Sequence, residues 1–216
     1  MARKGLIDLE RHYAFYGAYH SNKVNILLHT IFVWPIFFTS LILLYFTPSI
    51  CELIGREPQC FLARRGLFLN FSFFFALIYA VFYVLLDIKA GSLAALLCMG
   101  CWVGASTVAR SIGFSLAWKV VLGAQLLCWT GQFIGHGVFE VLIALYQTNY
   151  LPCIIIHTIW FYILREASVL QKRAPALLDN LFQAFLMAPY FVLLEVSPSP
   201  RYSHPLFYTL MARNQS

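Results

Sequence analysis

Apolar runs close to the length of a bilayer span constrain this chain more than any other feature. They cover about 24–46, 66–86 and 90–109, and a fourth run extends from the connection 110–115 to the end of GHGVFE at residue 140. A helix needs about 20 apolar residues to cross the hydrocarbon core. Only 11% of the 216 residues are charged, against about a quarter in soluble domains. The sequence therefore predicts an all-α, polytopic helical membrane bundle with about four core spans.

The predicted single membrane domain, 1–196, contains two further segments and is followed by a tail. Residues 1–24 have the amphipathic pattern of a helix that lies in the membrane interface. Residues 141–171 form an inserted apolar segment, and Asn149 and Pro152 interrupt it in a way that would suit a re-entrant or broken helix. The tail 197–216 is rich in proline and serine and is expected to be disordered.

The net charge of +6 and the pI near 9.1 do not indicate nucleic-acid binding. The Lys and Arg residues are scattered at the ends of the apolar runs, where membrane topology requires positive charge. The sequence thus gives no reason to expect a nucleic-acid partner.

The cysteines do not form a disulfide pattern, since Cys98, Cys101 and Cys128 lie inside predicted spans.

The segment GHGVFE places ionisable residues at the end of an apolar run. His136 lies between Gly135 and Gly137, and Glu140 follows four residues later. On an α-helix these two polar side chains would share a face, and both glycines would leave room beside it. Ionisable groups at membrane depth are costly and usually functional. We therefore expect a polar site around His136.

Two further histidines are predicted to join His136. His20 and His29 are nine residues apart and can converge only if the chain turns at 21–23. With four alternating spans, the start of the first span and the end of the fourth lie on one side of the membrane. Such histidines either join helices through hydrogen bonds or bind a metal such as iron, zinc or copper. The residues alone leave both possibilities open.

The last predicted helix carries Asp179, Asn180 and Gln183. Asp179 and Gln183 are four residues apart and share a face of a helix. Carboxylates and amides of this kind commonly orient metal-bound imidazole rings.

Three blocks of this chain stand out, YHSNK with NILLH, GQFIGHGVFE, and RAPALLDNLFQAFLMAPYF. Together they resemble the membrane-bound 2-hydroxy-palmitate dioxygenases of the endoplasmic reticulum, a family long described only as a domain of unknown function. The resemblance implies a multi-pass endoplasmic-reticulum enzyme that uses Fe(II) and molecular oxygen. Its substrates would be 2-hydroxy fatty acids from membrane lipid, shortened by one carbon in the α-oxidation step of phytosphingosine degradation.

Carried over by position, the resemblance implies that His20, His29 and His136 bind the iron. Glu140 and Asp179 fall in the same blocks and are assigned catalytic roles by inference. Asn25, Asn180 and Gln183 are expected to orient the ligands. One departure is the segment 141–171, which separates Glu140 from the basic pair before PALLDN and puts the activity of this form in doubt.

Two rival functions would use the same residues differently. In a membrane scaffold or lipid-binding protein, the polar residues only join helices and no metal is needed. A small transporter would need access to the polar cluster from both membrane faces, and the sequence shows no inverted repeat.

Overall fold

The computed structural model describes residues 9, 12, 13, 16, 20, 22–55, 66–140 and 183–196. All regular structure in this part of the chain is helical. The elements are α1 (Lys23–Tyr45), α2 (Ile50–Leu53), α3 (Phe71–Leu86), α4 (Ile88–Ile134), π1 (Gly135–Glu140), π2 (Gln183–Met187) and α5 (Ala188–Val196). Leu9, His12, Tyr13 and Tyr16 are also helical. The all-α prediction is therefore confirmed.

The chain forms two compact units. The first contains Met1–Leu9 and Ile31–Thr130, and the second contains Glu10–Thr30 and Gly131–Ser216. The boundary between the units falls inside two helices, after Thr30 in α1 and after Thr130 in α4.

In the first unit, α1 and α3 pack antiparallel through aromatic rings. Phe37 lies 5.9 Å from Phe75 and 4.9 Å from Tyr79 between ring centroids. Further along α1, the Leu41 carbonyl accepts a 3.0 Å hydrogen bond from Ser72 Oγ. Later residues of α1 thus contact earlier residues of α3, so the two helices run antiparallel, as is usual for neighbouring helices joined by a short connection.

The start of α3 differs from the predicted span 66–86. The helix begins at Phe71 because Asn70 caps it, with its side chain accepting from the Phe73 N–H. The same Asn70 side chain donates to the Tyr45 carbonyl at the end of α1 over 2.7 Å. One amide therefore satisfies groups at the start of α3 and the end of α1.

The long helix α4 folds back on itself at Gly113, whose φ of 69° and ψ of 166° are not helical. Gly104 and Gln125 would be about 31 Å apart along a straight helix. Nevertheless, a Cβ on Gly104 would lie 3.3 Å from Phe38, and Gln125 hydrogen-bonds the Ile36 carbonyl. Both therefore reach the same turn of α1, so the two halves of α4 form a hairpin. The break predicted at 110–115 is confirmed.

Two helical stretches, Lys23–Leu53 and Ile88–Phe139, are long and apolar enough to cross a membrane. Only 28% and 33% of their most apolar windows are buried inside the protein, so neither resembles the core helix of a soluble domain. Helix α3 has 16 residues, which is short of the usual span. The structure thus supports membrane association through two candidate spans, while a count of four stays a prediction.

Gln125 joins α4 to α1 beside Pro35. Its Nε2 donates to the Ile36 carbonyl at 3.0 Å, and the hydroxyls of Thr39 and Ser40 lie at 2.9 and 3.1 Å. Its Oε1 accepts from Trp129 Nε1 at 3.0 Å. Every polar atom of this amide is used within the first unit.

We expect Gln125→Met to lower the midpoint of thermal unfolding in detergent by several degrees. The substitution removes the hydrogen bond that Trp129 donates and the one that Gln125 gives to the Ile36 carbonyl, and each hydrogen bond contributes about 0.5–1.5 kcal/mol to stability. The matched control is Leu126→Met, because Leu126 is 61% exposed. Equal midpoints for the two variants would contradict the assigned role of Gln125.

Candidate metal centre

Three imidazole rings meet in the second unit. His20 precedes α1, His29 lies in its second turn, and His136 belongs to π1. The ring centroids are 4.4 Å apart for His20 and His29, 4.9 Å for His20 and His136, and 4.7 Å for His29 and His136. One ligand atom from each ring lies within 4.8 Å of the other two. The convergence predicted for these three residues is present.

The helix break between His20 and His29 makes their approach possible. His20 and Asn22 are not helical, and α1 begins at Lys23. Asn22 Oδ1 accepts a 2.7 Å hydrogen bond from the Val24 N–H, as a residue that starts a helix does. The expected turn at 21–23 is confirmed at Asn22 and Lys23, while Ser21 lies outside the described residues.

Asn22 also connects the two chain segments that carry the histidines. Its Nδ2 donates a 3.0 Å hydrogen bond to the Phe139 carbonyl in π1. Sequence reasoning identified Asn22 only as a helix start and missed this long-range contact. The one available signal was the presence of a polar amide two residues after His20.

Backbone carbonyls determine the tautomers of two rings. His20 Nδ1 donates to the Tyr16 carbonyl at 2.8 Å, and His29 Nδ1 donates to the Asn25 carbonyl at 3.1 Å. A carbonyl only accepts hydrogen bonds, so both Nδ1 atoms carry the hydrogen. In a neutral ring, Nε2 then presents its lone pair. Both rings are therefore in the form that binds a metal through Nε2.

His20 is held neutral by its surroundings. Burial lowers the pKa of His20 well below its usual value, and the nearby His29 and His136 lower it further. Its Nε2 is buried and has no hydrogen-bond partner among the described residues. A buried lone pair without a donor is unfavourable, and a metal ion would satisfy it.

The spacing of the nitrogens also suits an ion. His29 Nε2 and His136 Nε2 are 3.2 Å apart. Imidazole nitrogens bind such an ion at about 2.0–2.1 Å. With these bond lengths, the 3.2 Å spacing corresponds to a nitrogen–metal–nitrogen angle of about 100°, which lies between the octahedral and tetrahedral values. The ligand atoms spread over at most 4.8 Å, and a shift of under about 1 Å would bring all three within reach of one ion.

The close packing of π1 on α1 depends on Gly135. A Cβ at this position would overlap Asn25 Oδ1, and Leu28 Cδ1 would lie 3.5 Å away. Asn25 is completely buried, so it has no room to withdraw. The prediction that both glycines leave room for a neighbour is right for Gly135. At Gly137 a Cβ would meet nothing within 4 Å among the described residues, so the expected room is open there and its use by a helix or a ligand stays a prediction.

Aromatic side chains cover the outer face of His20. Tyr16 stacks on the ring with centroids 3.8 Å apart and planes 15° apart. Phe191 of α5 lies 4.9 Å from Tyr16 and 5.6 Å from Tyr13. The apolar stripe predicted for residues 1–24 is thus buried against α5 at these positions, and its place in the membrane interface stays a prediction.

Tyr13 adds a polar contact to this aromatic cluster. Burial and the neighbouring Glu195 carboxylate raise the pKa of Tyr13 above its usual value. The phenol therefore keeps its proton and donates to Glu195. Sequence reasoning missed Tyr13, Tyr16 and Glu195 as neighbours of the site, because only the packing of α5 brings them together.

The comparison with known proteins agrees with this arrangement. The sequence profile described as "2-hydroxy-palmitic acid dioxygenase Mpo1-like" matches residues 6–145, a range that includes all three histidines. The chain belongs to the Mpo1-like family. It is 29% identical over 194 residues to the 2-hydroxy-palmitic acid dioxygenase MPO1 of Saccharomyces cerevisiae, covering 89% of this chain and 81% of that protein. No solved structure matches the chain.

The Mpo1-like segment GHGVFE forms a π-helix and not the predicted α-helix. The α-helical spacing that aligned His136 with Glu140 is therefore the wrong premise for this segment, although π-helical turns are frequent at functional sites. The backbone of Glu140 ends π1, and its side chain lies outside the described structure. Asp179 and Asn180 also lie outside it, as does the segment 141–171. Gln183 begins π2, but its side chain is not among those described.

We expect Gly135→Ala to weaken binding of a divalent transition metal by about 10- to 100-fold, the usual effect of disturbing residues that support metal ligands. The added methyl group pushes π1 away from Asn25 and separates His136 from His29. The measurement is competition for Zn²⁺ between the detergent-solubilised protein and a calibrated chelator.

Gly137→Ala is the matched control, since its methyl group would enter open space. Its affinity should stay within about twofold of that of the unmodified protein. If both variants lose Zn²⁺ affinity to a similar extent, the loss comes from replacing a glycine of π1 by alanine and not from the contact between Gly135 and Asn25.

Proposed function

We propose that this protein is an Fe(II)-dependent dioxygenase that shortens 2-hydroxy fatty acids by one carbon. The observation that carries the proposal is the convergence of three imidazoles, one buried and two half-buried, two of which have their Nδ1 atoms hydrogen-bonded to backbone carbonyls. Membership of the Mpo1-like family and the name of the yeast relative support the substrate class.

His20, His29 and His136 would hold the iron through their Nε2 atoms. Bound iron would supply the activation of molecular oxygen. Three neutral imidazoles add no negative charge, so the ion keeps its full charge toward an anionic substrate. This favours binding of the carboxylate of a 2-hydroxy acid close to the histidines, with the adjacent hydroxyl beside it.

The proposed reaction balances with oxygen as the only co-reactant. One 2-hydroxy acid and one O₂ give one fatty acid shortened by a carbon, one CO₂ and one water. The substrate's second carbon is oxidised to the new carboxyl carbon, and its former carboxyl group leaves as CO₂. This is the α-oxidation step that phytosphingosine degradation requires.

The remaining predicted residues take supporting roles in this proposal. Glu140 and Asp179 are proposed as catalytic carboxylates that hold or move protons at the substrate. Asn25, Asn180 and Gln183 are proposed to orient the ligands. For Asn25, the support is that its carbonyl accepts from His29 and its side chain lies against Gly135.

The proposed location is the endoplasmic-reticulum membrane, with about four membrane crossings. The resemblance to the family's membrane enzymes supports the organelle, and the exposed apolar side chains of α1 and α4 support contact with lipid. Leu27, Ile31, Leu96, Leu126 and Leu127 are between 51% and 72% exposed. A long-chain substrate dissolved in membrane lipid would reach such a protein without crossing water.

The proposal predicts that His20→Ala, His29→Ala and His136→Ala each lose most of their iron and their turnover of 2-hydroxypalmitate. Iron per protein and the release of the shortened acid are measured on protein purified in detergent. His12→Ala is the control, because His12 lies outside the three-histidine cluster. An unmodified protein that binds no iron would favour the non-enzymatic scaffold, in which the histidines only join helices.

A second variant tests the inserted segment. We expect a version without residues 141–171 to retain iron, because all three histidines precede the deletion. Turnover by both the intact and the shortened protein shows that the segment is tolerated. Turnover by the shortened version alone shows that the family chemistry holds and that the segment blocks it in this form. Loss of iron on deletion would mean that the segment helps to build the centre.

A further inference from the structure

Gln132 is a buried amide whose polar atoms are not satisfied. The side chain is only 6% exposed. Neither its Nε2 nor its Oε1 has a hydrogen-bond partner among the described residues. Leaving a buried amide unpaired costs about 1–3 kcal/mol, and each such group in a native structure calls for an explanation.

A role in joining helices through hydrogen bonds does not explain why the Gln132 amide is buried, because the described residues offer it no partner. Gln125 lies seven residues earlier in α4 and is the same residue type. Its amide donates to Ile36 and accepts from Trp129, so it has the role expected of glutamine inside a helical membrane bundle. Gln132 has no such contacts and is nevertheless buried more completely than its half-buried counterpart.

Gln132 is close to the histidine cluster along the chain. It lies in the last turn of α4, four residues before His136 in π1, and both belong to the second unit. Four residues are about one turn in an α-helix and slightly less than one turn in a π-helix, so the two side chains project to the same side of the chain. A molecule held at His136 is therefore the ligand that the Gln132 amide is placed to meet.

We infer that Gln132 binds the polar head of the 2-hydroxy acid, with Nε2 donating to a carboxylate oxygen and Oε1 accepting from the 2-hydroxyl. This inference rests on the proposed function. The substrate head presents acceptors on its carboxylate and a donor on the neighbouring carbon, and these complement the two ends of an amide. A fatty acid without the hydroxyl leaves Oε1 buried and unpaired.

The consequence is selection for the 2-hydroxyl group. A site built to hydrogen-bond a substrate hydroxyl discriminates strongly against the analogue that lacks it, because the unpaired protein group stays buried. Gln132 is thus a specificity-determining residue, and the imidazoles alone would not distinguish the two acids in this way.

The test compares Gln132→Met with Gln125→Met, since methionine is close to glutamine in size and lacks the amide. Equilibrium binding of 2-hydroxypalmitate and of palmitate is measured on iron-loaded protein without oxygen, so that no turnover occurs. We expect Gln132→Met to reduce the preference for the 2-hydroxy acid about tenfold or more. Gln125→Met should keep the preference of the unmodified protein.

Thermal stability provides a second, independent measurement. Removal of an unsatisfied buried amide should leave the unfolding midpoint of substrate-free Gln132→Met unchanged or raised, whereas Gln125→Met should lower it. An unchanged preference in Gln132→Met would overturn the inference. Loss of iron or of stability in that variant would overturn it too, by giving Gln132 a structural role.

Failure of the inference is distinguishable from failure of the proposed function. If the unmodified protein binds iron and selects the 2-hydroxy acid but Gln132→Met does the same, only the role of Gln132 is wrong. If the unmodified protein binds no iron or does not select the 2-hydroxy acid, the proposed function and this inference fail together.

Discussion

The hydrogen bonds that His20 and His29 donate to backbone carbonyls determine what the histidine cluster can do. Each bond places the ring hydrogen on Nδ1 and leaves Nε2 as an acceptor. Tyr16 is helical and His20 is not, and the His20 ring donates back to the carbonyl four residues earlier. A backbone group of the preceding helical residues thus orients the ring.

The same geometry makes the metal-free cluster unfavourable. His20 Nε2 is buried without a partner among the described residues, and burial and the neighbouring His29 and His136 hold the pKa of His20 low, which disfavours relief by protonation. At most one hydrogen bond can form between His29 and His136 across their 3.2 Å separation. A cation is the partner that satisfies all three nitrogens at once, and the packing of Gly135 on Asn25 keeps His136 within that distance.

Pattern and spacing were sufficient for the helices, for the break near Gly113 and for the meeting of the three histidines. These follow from hydropathy and from the need for a turn between His20 and His29, both of which are local. The π-helical form of GHGVFE was not predicted from the sequence pattern, and the segment is contacted by Asn22 and Asn25, which lie more than a hundred residues earlier. The two glycines of the motif look equivalent in sequence, but among the described residues Gly135 lies against Asn25 whereas Gly137 faces open space.

Gln125 and Gln132 show the same limit most clearly. They are identical residues on one helix, separated by two turns, and no hydropathy pattern distinguishes them. What distinguishes them is whether the folded chain satisfies the amide, and this depends on residues far away in sequence, such as Ile36 for Gln125. A chain that leaves an amide buried and unpaired one turn before His136 gives up stability there. Such a cost is common at functional sites and is recovered when a ligand supplies the missing partners.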